Sequence, residues 1–145
     1  MRPSLYEHAG GAEAMLRLVR AHYARCLADP VLNHPFSHGG HPQHVERLAA
    51  YWGEVFGGPV AELEESEVLG LHAGVGDIGD AGERFFASFL ASLDEARLPD
   101  DEEFRAAMAA YMRWAVDRVV GYAPVGSVVP QREPVPRWGW VGLAP

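Results

Sequence analysis

Four segments of the chain repeat apolar residues at intervals of three and four, the spacing that places them on one face of an α-helix. They cover residues 12–28, 44–56, 80–97 and 100–122. No stretch alternates apolar and polar residues over enough length to build a sheet. At 145 residues the chain is long enough to bury one core. We therefore predict an all-α fold with four main helices joined by short connections.

Proline, glycine and capping residues mark where the predicted helices begin and end. Ser4 followed by Glu7 is the capping-box pattern, so a short first helix is expected before the four main ones. The residue before a proline is pushed out of the helical region, and Pro30 therefore ends the segment 12–28. Residues 60–71 are acidic and weakly patterned, and we expect only a helical turn there.

The last part of the chain differs in composition from the rest. From residue 123 onward proline and glycine are frequent, and Trp138-Gly139-Trp140 lies near the end. Such a composition is typical of irregular structure. The sequence predicts a helical domain over 1–122 and an irregular tail over 123–145.

Charge and cysteine content exclude several classes of protein. The formal net charge is −8, and all twelve basic side chains are arginines spread along the chain. Nucleic acids bind clustered cations, so this distribution argues against a nucleic-acid partner. The single cysteine, Cys26, forms no intrachain disulfide and fits a reducing compartment. With no signal-peptide pattern and no membrane-spanning run, we expect a cytoplasmic protein that does not bind membranes.

The stretch 69–76 contains the strongest candidate for a metal ligand. It places one imidazole, that of His72, at the end of a short apolar run and ahead of small, turn-prone residues. Aromatic residues gather in the predicted helices before and after it. On these residues alone, a histidine that ligates nothing is the favoured interpretation.

Several short features, in their order and spacing, resemble the truncated (two-over-two) haemoglobins, most closely those of group II. They are Ser4-Leu5-Tyr6-Glu7 with Gly10-Gly11, His22-Tyr23 ahead of Asp29-Pro30, Phe36, Gly57-Gly58-Pro59, and His72-Ala73. The resemblance covers nearly all of residues 4–122. It implies a globin-like sandwich of helices around haem b, whose iron is ligated by His72.

The resemblance also implies what surrounds the haem. Tyr23 would direct its hydroxyl at a bound diatomic gas, and His44 would face the same ligand or bind the iron. The remaining haem contacts that it implies are Phe36, Leu48 and either Phe85 or Phe86, which stand where the family usually has a tryptophan. The family commonly has an arginine directly before the ligating histidine, and this chain has Leu71 there.

A protein of this kind binds dioxygen, nitric oxide or carbon monoxide. The resemblance does not decide between oxygen transport, sensing, oxidation of nitric oxide and peroxidase-like turnover. The two redox reactions would require an electron-donating reductase. It also leaves the choice between a monomer and a homodimer open.

Two other functions are compatible with the residues. His34, His38, His41 and His44 could form a non-haem metal site, although no cysteine or well-placed acidic residue joins them. The chain could also be a helical interaction module without a cofactor, which grips a partner through Trp138-Gly139-Trp140. An absorption spectrum separates these functions, since a haem protein is red and has a strong Soret band.

Overall fold

The computed structural model describes residues 2–33 and 43–144. Within these ranges the chain forms six helices and one small hairpin. The elements are α1 (Leu5–Ala9), α2 (Gly11–Ala28), α3 (His44–Val55), α4 (Glu65–His72), α5 (Ala81–Glu95), α6 (Glu102–Gly121), β1 (Trp138–Gly139) and β2 (Gly142–Leu143). The all-α prediction is confirmed, and the four main helices lie within two residues of their predicted limits. None of the helices in the described ranges has the length and apolar character that a bilayer span requires.

Helix α1 is short because its cap and a glycine confine it. The Ser4 hydroxyl accepts a hydrogen bond from the backbone nitrogen of Glu7 at 3.1 Å, and Gly10, with a φ of 119°, ends the helix. The start of α1 packs against the end of α3, where Tyr6 donates a backbone hydrogen bond to Phe56. A Cβ on Gly57 would lie 2.7 Å from the Ser4 Cβ, so this approach requires glycine.

Three pairs of the main helices pack against each other. Helix α2 packs on α3 and on α5, and α5 packs on α6. The apolar faces predicted from the sequence meet between them; their largest fully buried side chains include those of Leu18, Phe56, Phe89, Met108 and Tyr111. The short helix α4, which ends at His72, packs against α6.

Helix α4 is longer than the turn predicted for residues 60–71. Its apolar pattern is weak because only Glu65 and Leu69 of its eight residues are buried. A search for apolar periodicity cannot detect a buried position that an acidic side chain occupies. The sequence therefore predicted only a turn where α4 forms.

The tail is fixed to the helices through tryptophan. Trp138 is 8% exposed, and its ring nitrogen donates to the carbonyl oxygen of Ala107 in α6 at 3.1 Å. The Trp140 ring nitrogen donates to the Pro3 carbonyl oxygen at 2.8 Å, and the Arg2 guanidinium lies 3.5 Å from the centre of the Trp140 ring. The prediction of an irregular tail missed this hairpin, whose two-residue strands are too short to produce a sequence period. The division into 1–122 and 123–145 stays a prediction.

Candidate functional site

His72 is the last residue of α4, and its imidazole is exposed. Its Nδ1 atom lies 2.7 Å from the carbonyl oxygen of Val68, one turn earlier. A carbonyl oxygen only accepts, so Nδ1 carries the proton of the neutral ring and Nε2 keeps its lone pair. Metal-binding histidines use the second nitrogen in this way to fix the ring and the tautomer. His72 is therefore prepared to act as a ligand through Nε2.

The segment after His72 is held by the end of α6. The backbone nitrogen of Gly74 donates to the Tyr122 carbonyl oxygen at 2.9 Å, and that of Gly76 donates to Ala123 at 2.7 Å. Both glycines have positive φ values, 70° and 85°. The turn predicted after the histidine is present, and its backbone is anchored to the two residues that follow α6.

Tyr23 and His44 lie together, although they come from different helices. Tyr23 belongs to α2 and His44 is the first residue of α3. Their ring centres are 5.4 Å apart and their planes are inclined by 48°. Leu48, one turn further along α3, is half-buried and packs against the core. A phenol and an imidazole thus lie next to each other, and an apolar side chain lies one helical turn from the imidazole.

Phe85 and Phe86 point to different neighbours. The ring of Phe85 meets the ring of His22 edge-on, with centres 4.4 Å apart. Phe86 lies under the guanidinium of Arg113 in α6, 4.1 Å from the ring centre. Phe85 therefore faces α2, the helix that carries Tyr23, whereas Phe86 faces α6.

His22 is a buried residue that sequence reasoning quoted only as part of a motif. It is 2% exposed; its Nδ1 lies 3.2 Å from the Ser88 hydroxyl and its Nε2 lies 3.6 Å from the Cys26 sulfur. Burial is the main reason that the pKa of His22 falls to about 4. The imidazole is therefore neutral at ordinary pH, next in sequence to Tyr23. His22 lies four residues before Cys26, on the buried face of α2. That spacing could have predicted its burial from the sequence.

Four of the predicted site residues lie outside the described part of the chain: Phe36, His34, His38 and His41. Of the proposed histidine cluster, the structure therefore places His44. In the ranges 2–33 and 43–144, no three His, Cys, Asp or Glu side chains converge in a way that could hold a metal ion.

Solved bacterial haemoglobins have the same fold. A thermostable haemoglobin from the actinobacterium Thermobifida fusca superimposes with a TM-score of 0.63 and 22% sequence identity, covering 89% of this chain and 100% of that chain. Haemoglobin from the thermophilic phototroph Chloroflexus aurantiacus gives a TM-score of 0.62 and 25% identity, over 81% of this chain and 98% of that one. The chain has the truncated-globin fold.

A third truncated globin structure, described as a triple mutant of ASV-TfTrHb, agrees with the first two. It gives a TM-score of 0.62 and 22% identity over 90% of this chain and 99% of that chain. No protein-family model and no curated protein matches the sequence. At this level of identity the comparison establishes the truncated-globin fold.

Proposed function

We propose that the protein is a haem-binding truncated globin, most similar to group II, that binds dioxygen and other diatomic gases. In this proposal His72 ligates the iron of haem b. The observation that carries it is the hydrogen bond between His72 Nδ1 and Val68, because it leaves Nε2 with an available lone pair on an exposed ring. The fold shared with bacterial haemoglobins supports the same function.

The donor set of the described residues fits a haem. An iron porphyrin needs one neutral imidazole as a ligand and an otherwise apolar surrounding, with a few polar groups near the site of gas binding. His72 supplies the imidazole, Leu48 and Phe85 supply apolar surface, and Tyr23 with His44 supplies the polar groups. When bound, the haem supplies an iron with one open coordination position for a gas.

Tyr23 has the chemistry of a selective hydrogen-bond donor. Its hydroxyl can donate to dioxygen, which carries partial negative charge when held, whereas carbon monoxide carries far less. Such a bond is stronger where water is excluded. The nearby His44 imidazole is a second donor, and Leu48 would add apolar surface on the same side. The pair therefore favours dioxygen over carbon monoxide.

Redox turnover would require electrons from outside the chain. We include oxidation of nitric oxide and peroxidase-like turnover in the proposal because the same ligand and polar pair would serve either reaction. An electron-donating reductase is the partner that this implies. Oxygen transport, a cytoplasmic location and a homodimer stay predictions.

Reconstitution with hemin tests the proposal. The purified chain should bind one equivalent of hemin and show a Soret band, and His72→Gly should lose the ferrous five-coordinate spectrum. Added imidazole should restore that spectrum, because the cavity left by the side chain can accept a free ligand. His8→Gln is the matched control, since His8 bonds Asp101 near α1. An unchanged spectrum in His72→Gly would show that another residue ligates the iron.

A further inference from the structure

Apolar packing alone does not explain where α4 lies. Leu69 is the buried apolar residue of this eight-residue helix, and its neighbour Leu71 is 73% exposed. Short helices gain most of their stability from packing an apolar face. The helix that carries His72 must therefore be held by something other than a large apolar face.

The first turn of α4 contains a buried carboxylate. Glu65 is 3% exposed, and its Oε2 lies 3.6 Å from Arg118 Nη1 in α6. Its Oε1 accepts a hydrogen bond from the Tyr51 hydroxyl of α3. Burial raises the pKa of Tyr51, so that hydroxyl keeps the proton that it donates. A carboxylate near a helix N-terminus is also favoured by the helix dipole.

The same network reaches the tail. Arg118 Nη2 lies 3.5 Å from Glu133 Oε2, and the guanidinium lies 5.2 Å from the centre of the Trp114 ring. Arg118 is thus fixed by two carboxylates and an aromatic ring. Through it, the first turn of α4 is connected to a residue 68 positions later in the sequence, Glu133.

The other end of α4 is held by the same part of α6. Gly74 and Gly76 donate to the carbonyl oxygens of Tyr122 and Ala123, and Tyr122 lies one helical turn after Arg118. Both ends of the helix are therefore attached to the last turns of α6 and to the start of the tail. Any displacement of Glu65 would shift the whole helix, including its final residue His72.

We propose that Glu65 is a positioning residue for His72, and that the network Tyr51–Glu65–Arg118–Glu133, which is buried at Tyr51 and Glu65, sets the place of α4. The part that concerns the iron rests on the proposed function. A buried ion pair often contributes little to net stability, but its directional bonds fix one arrangement of the groups it joins. Here the network joins α3, α4, α6 and the tail. The position of the tail would therefore affect the position of His72, the residue that would ligate the iron.

Glu65→Gln is the main test, because it keeps the shape of the side chain and removes its charge. The matched control is Glu64→Gln, which changes the exposed neighbour. Hydrogen–deuterium exchange is measured on each protein as purified. In Glu65→Gln we expect exchange over residues 66–76 to accelerate by about tenfold or more, with α2 and α5 unchanged. Tyr51→Phe, which loses one hydrogen bond, should give a smaller rise in the same segment.

A double-mutant cycle with Arg118→Gln tests whether the groups act together. If they do, the double variant should exchange no faster than the faster single variant. After hemin binding, the resonance Raman band of the bond between ferrous iron and histidine should shift or broaden in Glu65→Gln and stay unchanged in Glu64→Gln. That band reports the position of the ligand and would not respond to a general loss of stability.

The outcomes separate this inference from the proposed function. Unchanged exchange over 66–76, or a rise spread evenly over all helices, would overturn the positioning role. A purified chain that shows no Soret band after hemin is added would overturn the proposed function and the role toward iron. The exchange data would still decide whether the network holds α4.

Discussion

The Nδ1 atom of His72 is bonded to the carbonyl oxygen of Val68, within the same helix. The direction of the free nitrogen is consequently set by α4 itself and not by a side chain from another element. A change in the position of α4 moves the imidazole as part of a rigid unit. The placement of this one helix therefore controls how the ring would meet a metal.

Tyr23→Phe tests whether the Tyr23 hydroxyl stabilises bound dioxygen. The substitution keeps the ring beside His44 and removes the hydroxyl. A hydrogen bond to a charged acceptor contributes about 1.5–3 kcal/mol, so dioxygen should dissociate faster by about one to two decades. Carbon monoxide release should change much less. Stopped-flow measurement of both rates checks this, and equal changes for both gases would show that Tyr23 acts by packing.

His44→Ala should alter ligand kinetics without abolishing hemin binding. Because His44 begins α3 and its ring neighbours that of Tyr23, its removal opens space and takes away a second donor. We expect faster entry of carbon monoxide, measured by flash photolysis, and a Soret band of unchanged intensity. Loss of a bound non-haem metal on the same substitution would instead support the histidine-cluster alternative.

Acid should destabilise the fold through His22. Its pKa is about 4 in the folded chain and about 6.5 unfolded, so between these values the unfolded state binds a proton that the folded state does not. Stability is therefore full above pH 6.5 and falls as the pH drops toward 4. The contribution of this group amounts to about 3 kcal/mol. Urea unfolding at a series of pH values measures it.

His22→Gln is the control for that experiment. Glutamine cannot titrate, so the variant should be less stable near neutral pH but should lose less stability between pH 6.5 and 4. Carboxylates contribute equally to both proteins and cancel in the difference. Parallel curves for the two proteins would contradict the assignment.

Trp138→Ala should destabilise the protein more than Trp140→Ala. Trp138 is buried against α6, and replacing a buried tryptophan by alanine costs about 3–5 kcal/mol. Trp140 is only partly buried, and its loss should cost less. Thermal or urea unfolding compares the two. Similar small losses in both variants would show that the tail is not anchored in the core.

The helices could be predicted from the sequence because local signals define them. Pro30 and the Gly57-Gly58-Pro59 step follow the ends of α2 and α3, and Ser4 caps α1. The candidate residues Tyr23 and His44 could be named through the family resemblance, and the structure brings them together. These features depend on residues that are close in sequence or belong to a known order.

The features that were missed depend on distant residues. Glu65 lies in a stretch that reads as a solvated acidic segment, since nothing near it shows that Tyr51 and Arg118 will surround it. The partner of Trp138 is a backbone carbonyl of α6, which leaves no trace in the sequence. Burial of ionisable and tail residues is decided by tertiary packing, which a local pattern does not report.

The contact between Trp140 and Pro3 has a mechanical consequence. Because the two terminal regions meet there, tension applied between them first loads the Trp140–Pro3 hydrogen bond and the stacked Arg2, before any helix. On the tail side, the contact of Trp138 with α6 would bear the load next. The tail is thus the first part of the molecule that such tension would load.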